Sequence, residues 1–327
     1  MTRDVHTGTR IVTLAGGVGG SRFARGLIAA APAAVHTVIV NTGDDLSLYG
    51  LRISPDVDTV LYALSGRVDN ARGWGPRGDS YRCMELLEEL GGSTWFRLGD
   101  LDLAVHLRRT ELLANGRTPT EVVAELSRRL GIAAVTILPM TNERAETWVR
   151  LAEGSRPWVH FQEYFVRRRT DVSICGVEVR GVADAAPAPG VLEALDNADL
   201  IVFAPSNPLV SLAPILAVKG IRESIRAHRL TGRPVGGISP LIGGATVKGP
   251  AARMLAELGH TPSALGAAKI FSDLLTHYVV DPVDRDLAQG LAQIGVKPLI
   301  TPALMRGRRG EARLARFLLN ASLGSTR

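Results

Sequence analysis

The chain has 327 residues, 46% hydrophobic and 21% charged, with a formal net charge of +6 at pH 7; this suits one large α/β domain or two modest ones with a sizeable core. Its two cysteines, Cys83 and Cys175, exclude a disulfide framework and a cysteine-built zinc site, and read as ordinary buried residues. The longest apolar stretches, such as Leu209 to Val218 with its proline, fall far short of a bilayer span.

In chain order, polar residues from Thr2 to Arg10 lead directly into an apolar run with no signal-peptide pattern, so a cytoplasmic protein is expected. Ile11-Val12-Thr13-Leu14 predicts a strand entering the turn Ala15-Gly16-Gly17-Val18-Gly19-Gly20-Ser21, with a helix from Ser21 to Ala31. A second strand over 35–40 runs into Asn41-Thr42-Gly43-Asp44-Asp45, and Ser54-Pro55-Asp56-Val57-Asp58-Thr59 reads as another acidic turn. Helical spacing marks Ser80 to Leu90, and Thr118 to Leu130 opens on a helix-start signature, Thr-Pro-Thr-Glu. Strands are predicted over 133–138, 200–204, 234–238 and 277–280, and Trp158 to Phe165 alternates well enough for one more. Later helices are expected from Pro214 to Ala227, Pro250 to Leu258, Pro262 to Thr276 and Glu311 to Leu319.

Strands alternating with helices imply a mostly parallel sheet covered on both faces. The expected fold is a Rossmann-like three-layer α/β/α domain over 1–327, its core drawn from about 1–60 and 185–300. A largely helical subdomain is inserted over about 60–185. The densest basic runs, Arg167-Arg168-Arg169 and Arg306 to Arg316, have no interleaved aromatics and form no continuous phosphate track, so no nucleic-acid partner is expected. A mildly basic surface suits an anionic small molecule.

The strand C-termini of a parallel sheet share one edge, and ligands bind in the crevice there. Gly17-Val18-Gly19 begins like a dinucleotide fingerprint, but Arg22 takes the third glycine position, and Asn41 stands where a ribose-binding acid is usual. A Walker motif fails because no Gly-Lys-Ser/Thr follows. What remains for Gly16, Gly17, Gly19 and Gly20 is a plain phosphate cradle at a helix start. Asp44, Asp45, Asp56 and Asp58 would face it, and Arg97 precedes a third pair, Asp100 and Asp102. Any one pair has a local explanation as a cap or turn; three together point to a hard cation, Mg²⁺, and metal-assisted phosphoryl transfer. His106, His160 and His277 lack metal-ligand spacing and read as structural. The turns at Pro205-Ser206-Asn207-Pro208 and at Ser239-Pro240 also sit at strand ends and suit nucleotide or phosphate recognition. No Gly-x-Ser-x-Gly elbow is present, which disfavours covalent catalysis.

Taken in order, Gly16-Gly17-Val18-Gly19-Gly20, Asn41-Thr42 with Asp45, and Ile53-Ser54-Pro55-Asp56-Val57-Asp58-Thr59 resemble the 2-phospho-L-lactate transferase family of coenzyme F-420 biosynthesis. Leu98-Gly99-Asp100, His160-Phe161-Gln162, Pro205-Ser206-Asn207-Pro208 and Ser239-Pro240-Leu241-Ile242-Gly243 continue the likeness over nearly the whole chain, and the Arg/Ala-rich composition suggests the mycobacterial-type member. The resemblance implies transfer of a phosphoenolpyruvyl or 2-phospho-L-lactyl group from a guanosine diphosphate-activated donor to the terminal ribityl hydroxyl of the deazaflavin Fo. GMP leaves, Mg²⁺ is required, and the enzyme is a homodimer. Asp58 and Arg97 match the Fo contacts. The glycine turn and Ser206-Asn207 would by analogy serve the guanine nucleotide, with Asn41, Thr42, Asp100 and Ser239 also on substrate. The resulting expectation gives catalysis to Asp45, Asp58 and Arg97 and the metal to Asp45, Asp56 and Asp58. The stretch after about residue 280 reads as an extension with no catalytic role. A nucleotide-binding regulatory protein of the same fold is the rival reading.

Overall fold

A computed structural model describes residues 7–154 and 157–324; residues 2–6 of the polar opening stretch lie outside them. Seven strands form one fully parallel sheet: β1 (Arg10–Ala15), β2 (Val35–Val40), β5 (Val135–Pro139), β9 (Leu200–Phe203), β10 (Val235–Ile238), β13 (His277–Val280) and β14 (Lys297–Ile300). Their spatial order is β14-β13-β10-β9-β1-β2-β5. The chain moves outward from β1 to β2 and β5, then returns to lay β9 on the other side of β1. That reversal makes the crevice beyond the C-termini of β1 and β9 the topological switch point, where α/β sheets bind ligands.

Alternation along β1 explains the layering. Ile11 and Ala15 join one buried apolar cluster, and Val12 and Leu14 join the other. Over the first face lie α1 (Gly17–Ala30), α2 (Pro55–Leu64), α5 (Pro119–Arg129) and α12 (Gly307–Leu323). Over the second lie α6 (Val191–Asp196), α7 (Ala213–Ala217), α8 (Ile221–Leu230), α10 (Ala264–Lys269) and α11 (Ala288–Gln293). This is the three-layer α/β/α architecture expected. Two further helices, α3 (Arg82–Glu89) and α4 (Asp100–Ala114), follow α2, and α9 (Ala251–Glu257) precedes α10. Two ribbons, β3 (Leu46–Leu48) with β4 (Leu51–Ile53) and β11 (Leu241–Ile242) with β12 (Ala245–Thr246), flank the crevice. A small antiparallel sheet, β7-β6-β8, is built from β6 (Glu146–Leu151), β7 (Trp158–His160) and β8 (Ile174–Arg180). Among the described residues no helix is long and apolar enough to cross a membrane.

Several boundaries differ from expectation for physical reasons. The first helix starts at Gly17, not Ser21, because the glycine turn is itself its first turn. Residues 55–64 are helix, not turn: Pro55 occupies the first helical position and Asp56 and Asp58 follow in the same turn, where carboxylates offset the helix dipole. The strand at Trp158 stops at His160, and Glu163–Arg167 forms a π-helical turn. Gly220, with φ of 89°, divides Pro214 to Ala227 between two helices. β5 pairs with β2, so the inserted material is two pieces, a helical one before β5 and the antiparallel sheet after it. Both cysteines are exposed, not buried.

The stretch after 280 is no appendage. It supplies the edge strand β14 and the helix α12, which packs along α1. Glu311, buried in α12, accepts from Arg22 Nε at 2.8 Å and from Arg25 Nε and Nη2 at 2.9 and 2.8 Å.

Candidate active site

At the switch point the close approach of three segments explains the glycines. A Cβ on Gly19 would lie 2.2 Å from the Pro205 carbonyl oxygen, and one on Gly16 would lie 2.5 Å from Asp56 Oδ2. Gly17 has φ of 63°, a conformation that side chains rarely adopt. Ser206 locks the loop after β9 to the turn, accepting from Gly16 N at 3.2 Å and donating to Gly16 O at 2.9 Å. The Gly17 amide donates to Asp56 Oδ1 at 2.7 Å. The next amides, of Val18 and Gly19, have no intrahelical partner by position. Beyond this turn opens a cavity of about 780 Å³.

Two buried carboxylates face the cavity together, Asp44 and Asp56. Asn41, fully buried, donates from Nδ2 to Asp56 Oδ2 at 2.9 Å and to Asp44 Oδ1 at 3.2 Å. Gln162 donates to Asp44 Oδ2 at 3.0 Å. Burial, then the charge of Asp56, pushes the Asp44 carboxyl well above the ordinary range. Burial raises Asp56 to about 6 against the donors Asn41 and Gly17. Among the described residues neither acid has a cationic partner.

A second network, which also lines the cavity, runs along α2 and α4. Arg109, 3% exposed, grips both oxygens of Asp58, one at 2.9 Å and the other through Nη2. His106 Nδ1 stands 3.5 Å from Asp58 Oδ2, and its Nε2 3.5 Å from Asp102 Oδ2. That Nε2 is buried without a hydrogen-bond partner, and Tyr62 donates its hydroxyl to Asp102 Oδ1 at 2.5 Å. Burial pushes Asp102 up, but the His106 imidazole beside it and the Tyr62 hydroxyl prevail and hold it below the ordinary range. Asp58, Asp102 and His106 offer ligand atoms within 4.8 Å of one another. The rim carries the opposite charge: Arg22, Arg72, Arg97 and Lys248 all line the cavity. Arg97 lies over the Tyr81 ring at 4.7 Å.

Residues 11–298 match the family model described as 2-phospho-L-lactate transferase CofD. The chain belongs to this family. It is 45% identical over 313 residues to a Streptomyces coelicolor phosphoenolpyruvate transferase, covering 95% of this chain and 97% of the relative. A Methanosarcina acetivorans 2-phospho-L-lactate transferase is 35% identical over 94% of this chain and 98% of its own length. An archaeal relative thus runs nearly the whole length of this CofD-family chain, residues after 280 included. The crystal structure of a upf0052-family protein from Bacillus halodurans shares the fold, with a TM-score of 0.64 at 18% identity over 96% of this chain and 99% of that one. Membership makes the chain a transferase acting on small molecules.

The expected site residues separate into three groups in this CofD-family fold. Gly16, Gly17, Gly19, Asp56, Asp58, Arg97, Ser206, Asn207 and Ser239 line the large cavity. Asn41 and Gly20 stand behind it, Asn41 as the bracket of the acid pair and Gly20 packed against Ser206 Oγ and Ala15. Thr42, Asp45 and Asp100 lie elsewhere. Thr42 and Asp45 line a separate pocket of about 380 Å³, where burial raises Asp45 to about 7 against Ser54 and Arg52. Asp100 accepts from Ser80 Oγ and from the Arg82 and Cys83 amides, so it caps the start of α3. Asp44 takes the cavity-facing position expected of Asp45. His106, read as structural, sits between two site carboxylates; its spacing of four residues from Asp102 on one helix was the available signal. Arg109 carried none, because its partner lies 51 residues away.

Proposed function

We propose that this chain moves a phosphoenolpyruvyl group from a guanosine diphosphate-activated donor to the terminal ribityl hydroxyl of the deazaflavin Fo, releasing GMP and forming dehydro-F-420-0. The observation that carries the reading is one cavity containing the Asp44–Asp56 pair, the glycine start of α1, Asp58 and Arg97, in a chain of the CofD family. The enolpyruvyl donor is favoured over the 2-phospho-L-lactyl one by 45% identity to a phosphoenolpyruvate transferase against 35% to a 2-phospho-L-lactate transferase. A homodimer is part of the same proposal.

Asp44 and Asp56 suit Mg²⁺: they are two buried, mutually repelling carboxylates satisfied only by neutral donors. Asp58 suits it less, because Arg109 already neutralises it, and Asp45 belongs to the other pocket. When bound, the ion supplies charge neutralisation for the phosphates. In the reaction the Fo hydroxyl oxygen attacks the phosphorus bearing the three-carbon acid. A phosphodiester bond forms as the bond to the GMP oxygen breaks; Asp58, held by Arg109 and with His106 behind it, orients the hydroxyl, whose proton passes to bulk water. Arg97 steadies the acceptor, and the first-turn amides of α1 take up the charge of the departing GMP. The test is GMP release on mixing the protein with donor, Fo and Mg²⁺. Release that requires both Fo and Mg²⁺ supports the proposal; release without Fo, or undiminished by chelator, refutes it.

A further inference from the structure

The acids explain the floor of the cavity, but of the rim cations Arg22, Arg72, Arg97 and Lys248 only Arg97 has a role in the scheme above. Lys248 follows the β11–β12 ribbon, lines the cavity and donates its ammonium to the Arg72 carbonyl. A Cβ built on Gly73 would lie 3.2 Å from Lys248 Nζ and 2.9 Å from Val18 Cγ1, so the ammonium sits beside the first turn of α1. Among the described residues Lys248 is in no ion pair. Its neighbour Arg22, also lining the cavity, shares the carboxylate of Glu311 with Arg25. Arg22 and Arg25 thus share one carboxylate while Lys248 has none, and the local excess is positive. Burial, then the charge of Arg22, loosens the Lys248 proton. An ammonium has three donors, and a backbone carbonyl occupies one of them here.

A cation beside a second cation is disfavoured unless an anion joins them, and Lys248 is exposed on the rim, open to such an anion. We propose that Lys248, together with Arg22, binds the phosphates of a nucleoside diphosphate at the rim of the cavity beside α1. A dianionic group matches the excess charge, and a lysine ammonium serves a phosphate as a point charge without demanding planar geometry. The inference rests on the reading of the donor as a guanosine diphosphate derivative, and adds the residues that select its phosphates.

Calorimetric titration of the full chain with GDP, inorganic pyrophosphate and Fo tests this. Lys248→Met is expected to weaken GDP and pyrophosphate at least tenfold and to reduce the salt dependence of their binding. Lys248→Arg keeps most of that affinity, and Fo binding stays within twofold in both variants. Unchanged GDP affinity in Lys248→Met overturns the assignment. Equal loss of GDP and Fo affinity also overturns it, since Lys248 would then only tie down the loop at Arg72. A wild-type chain that binds pyrophosphate through Lys248 but neither GDP nor Fo keeps the anion site and refutes the transferase reading. One that binds neither GDP nor pyrophosphate removes the anion site itself.

Discussion

Asn41 donates one amide group to two carboxylates, to Asp56 Oδ2 at 2.9 Å and to Asp44 Oδ1 at 3.2 Å. The bracket is held from behind, because Asn41 Oδ1 accepts from the Gly43 amide at 2.8 Å and Nδ2 also reaches the Val210 carbonyl. A neutral donor thus keeps two acids side by side without neutralising them. Asn41→Leu removes the bracket while keeping the volume close. Unmet buried acceptors cost about 1–3 kcal/mol, and the misplaced pair should lower turnover about a hundredfold at saturating Mg²⁺. Denaturant unfolding and steady-state rates measure the two effects.

Arg109 and Asp58 form a different kind of pair, both nearly out of solvent. Arg109→Met strands a buried carboxylate, at a loss of about 3–5 kcal/mol. Adding Asp58→Asn to it removes the stranded charge, so the double variant should regain part of that stability while turnover stays low. A double variant no more stable than the single one would show that the loss is not electrostatic.

Glu311 ties α12 to α1. Burial alone would push its carboxyl up, but the hydrogen bonds and charges of Arg25 and Arg22 hold it below the ordinary 4.5. A depressed folded-state value means the stabilisation is present above pH 4.5 and is lost as the pH falls through the lowered value. Glu311→Gln should therefore be less stable than wild type at neutral pH. The gap should narrow as the pH drops below about 4.5, the ordinary glutamate range. Thermal unfolding at pH 7 and pH 3.5 checks the sign.

Gly19 faces a backbone oxygen 2.2 Å from where a Cβ would sit, and a carbonyl cannot swing aside as a side chain can. Gly19→Ala should cost about 2–3 kcal/mol and push the loop at Pro205 and Ser206 away from the turn. Gly116, with open space around its Cβ position, is the control for left-handed backbone strain alone. Melting curves of the two alanine variants separate clash from conformation.

The sequence carried the sheet well, because β1, β2, β9, β10 and β13 are short apolar runs ending in turns. It carried β14 poorly: Lys297–Ile300 is four residues long, begins with lysine and contains proline. The acids were legible as a group but not one by one. Asp44 and Asp45 differ by a single peptide, and only the turn conformation decides which faces the cavity. Asp100 looks like Asp56 in sequence, yet it caps α3 through contacts made 17 to 20 residues back along the chain. Long-range partners such as Arg109 for Asp58 and Glu311 for Arg25 leave no local pattern, so tertiary structure alone discloses them.

Transfer of a phosphoenolpyruvyl group onto Fo is read from the mass of the product. Incubating the protein with Mg²⁺, Fo and an equal mixture of enolpyruvyl and lactyl guanylyl donors should give mainly the mass of dehydro-F-420-0, with GMP in equal amount. Unchanged Fo, or a guanylylated Fo in place of the three-carbon phosphodiester, would contradict the account.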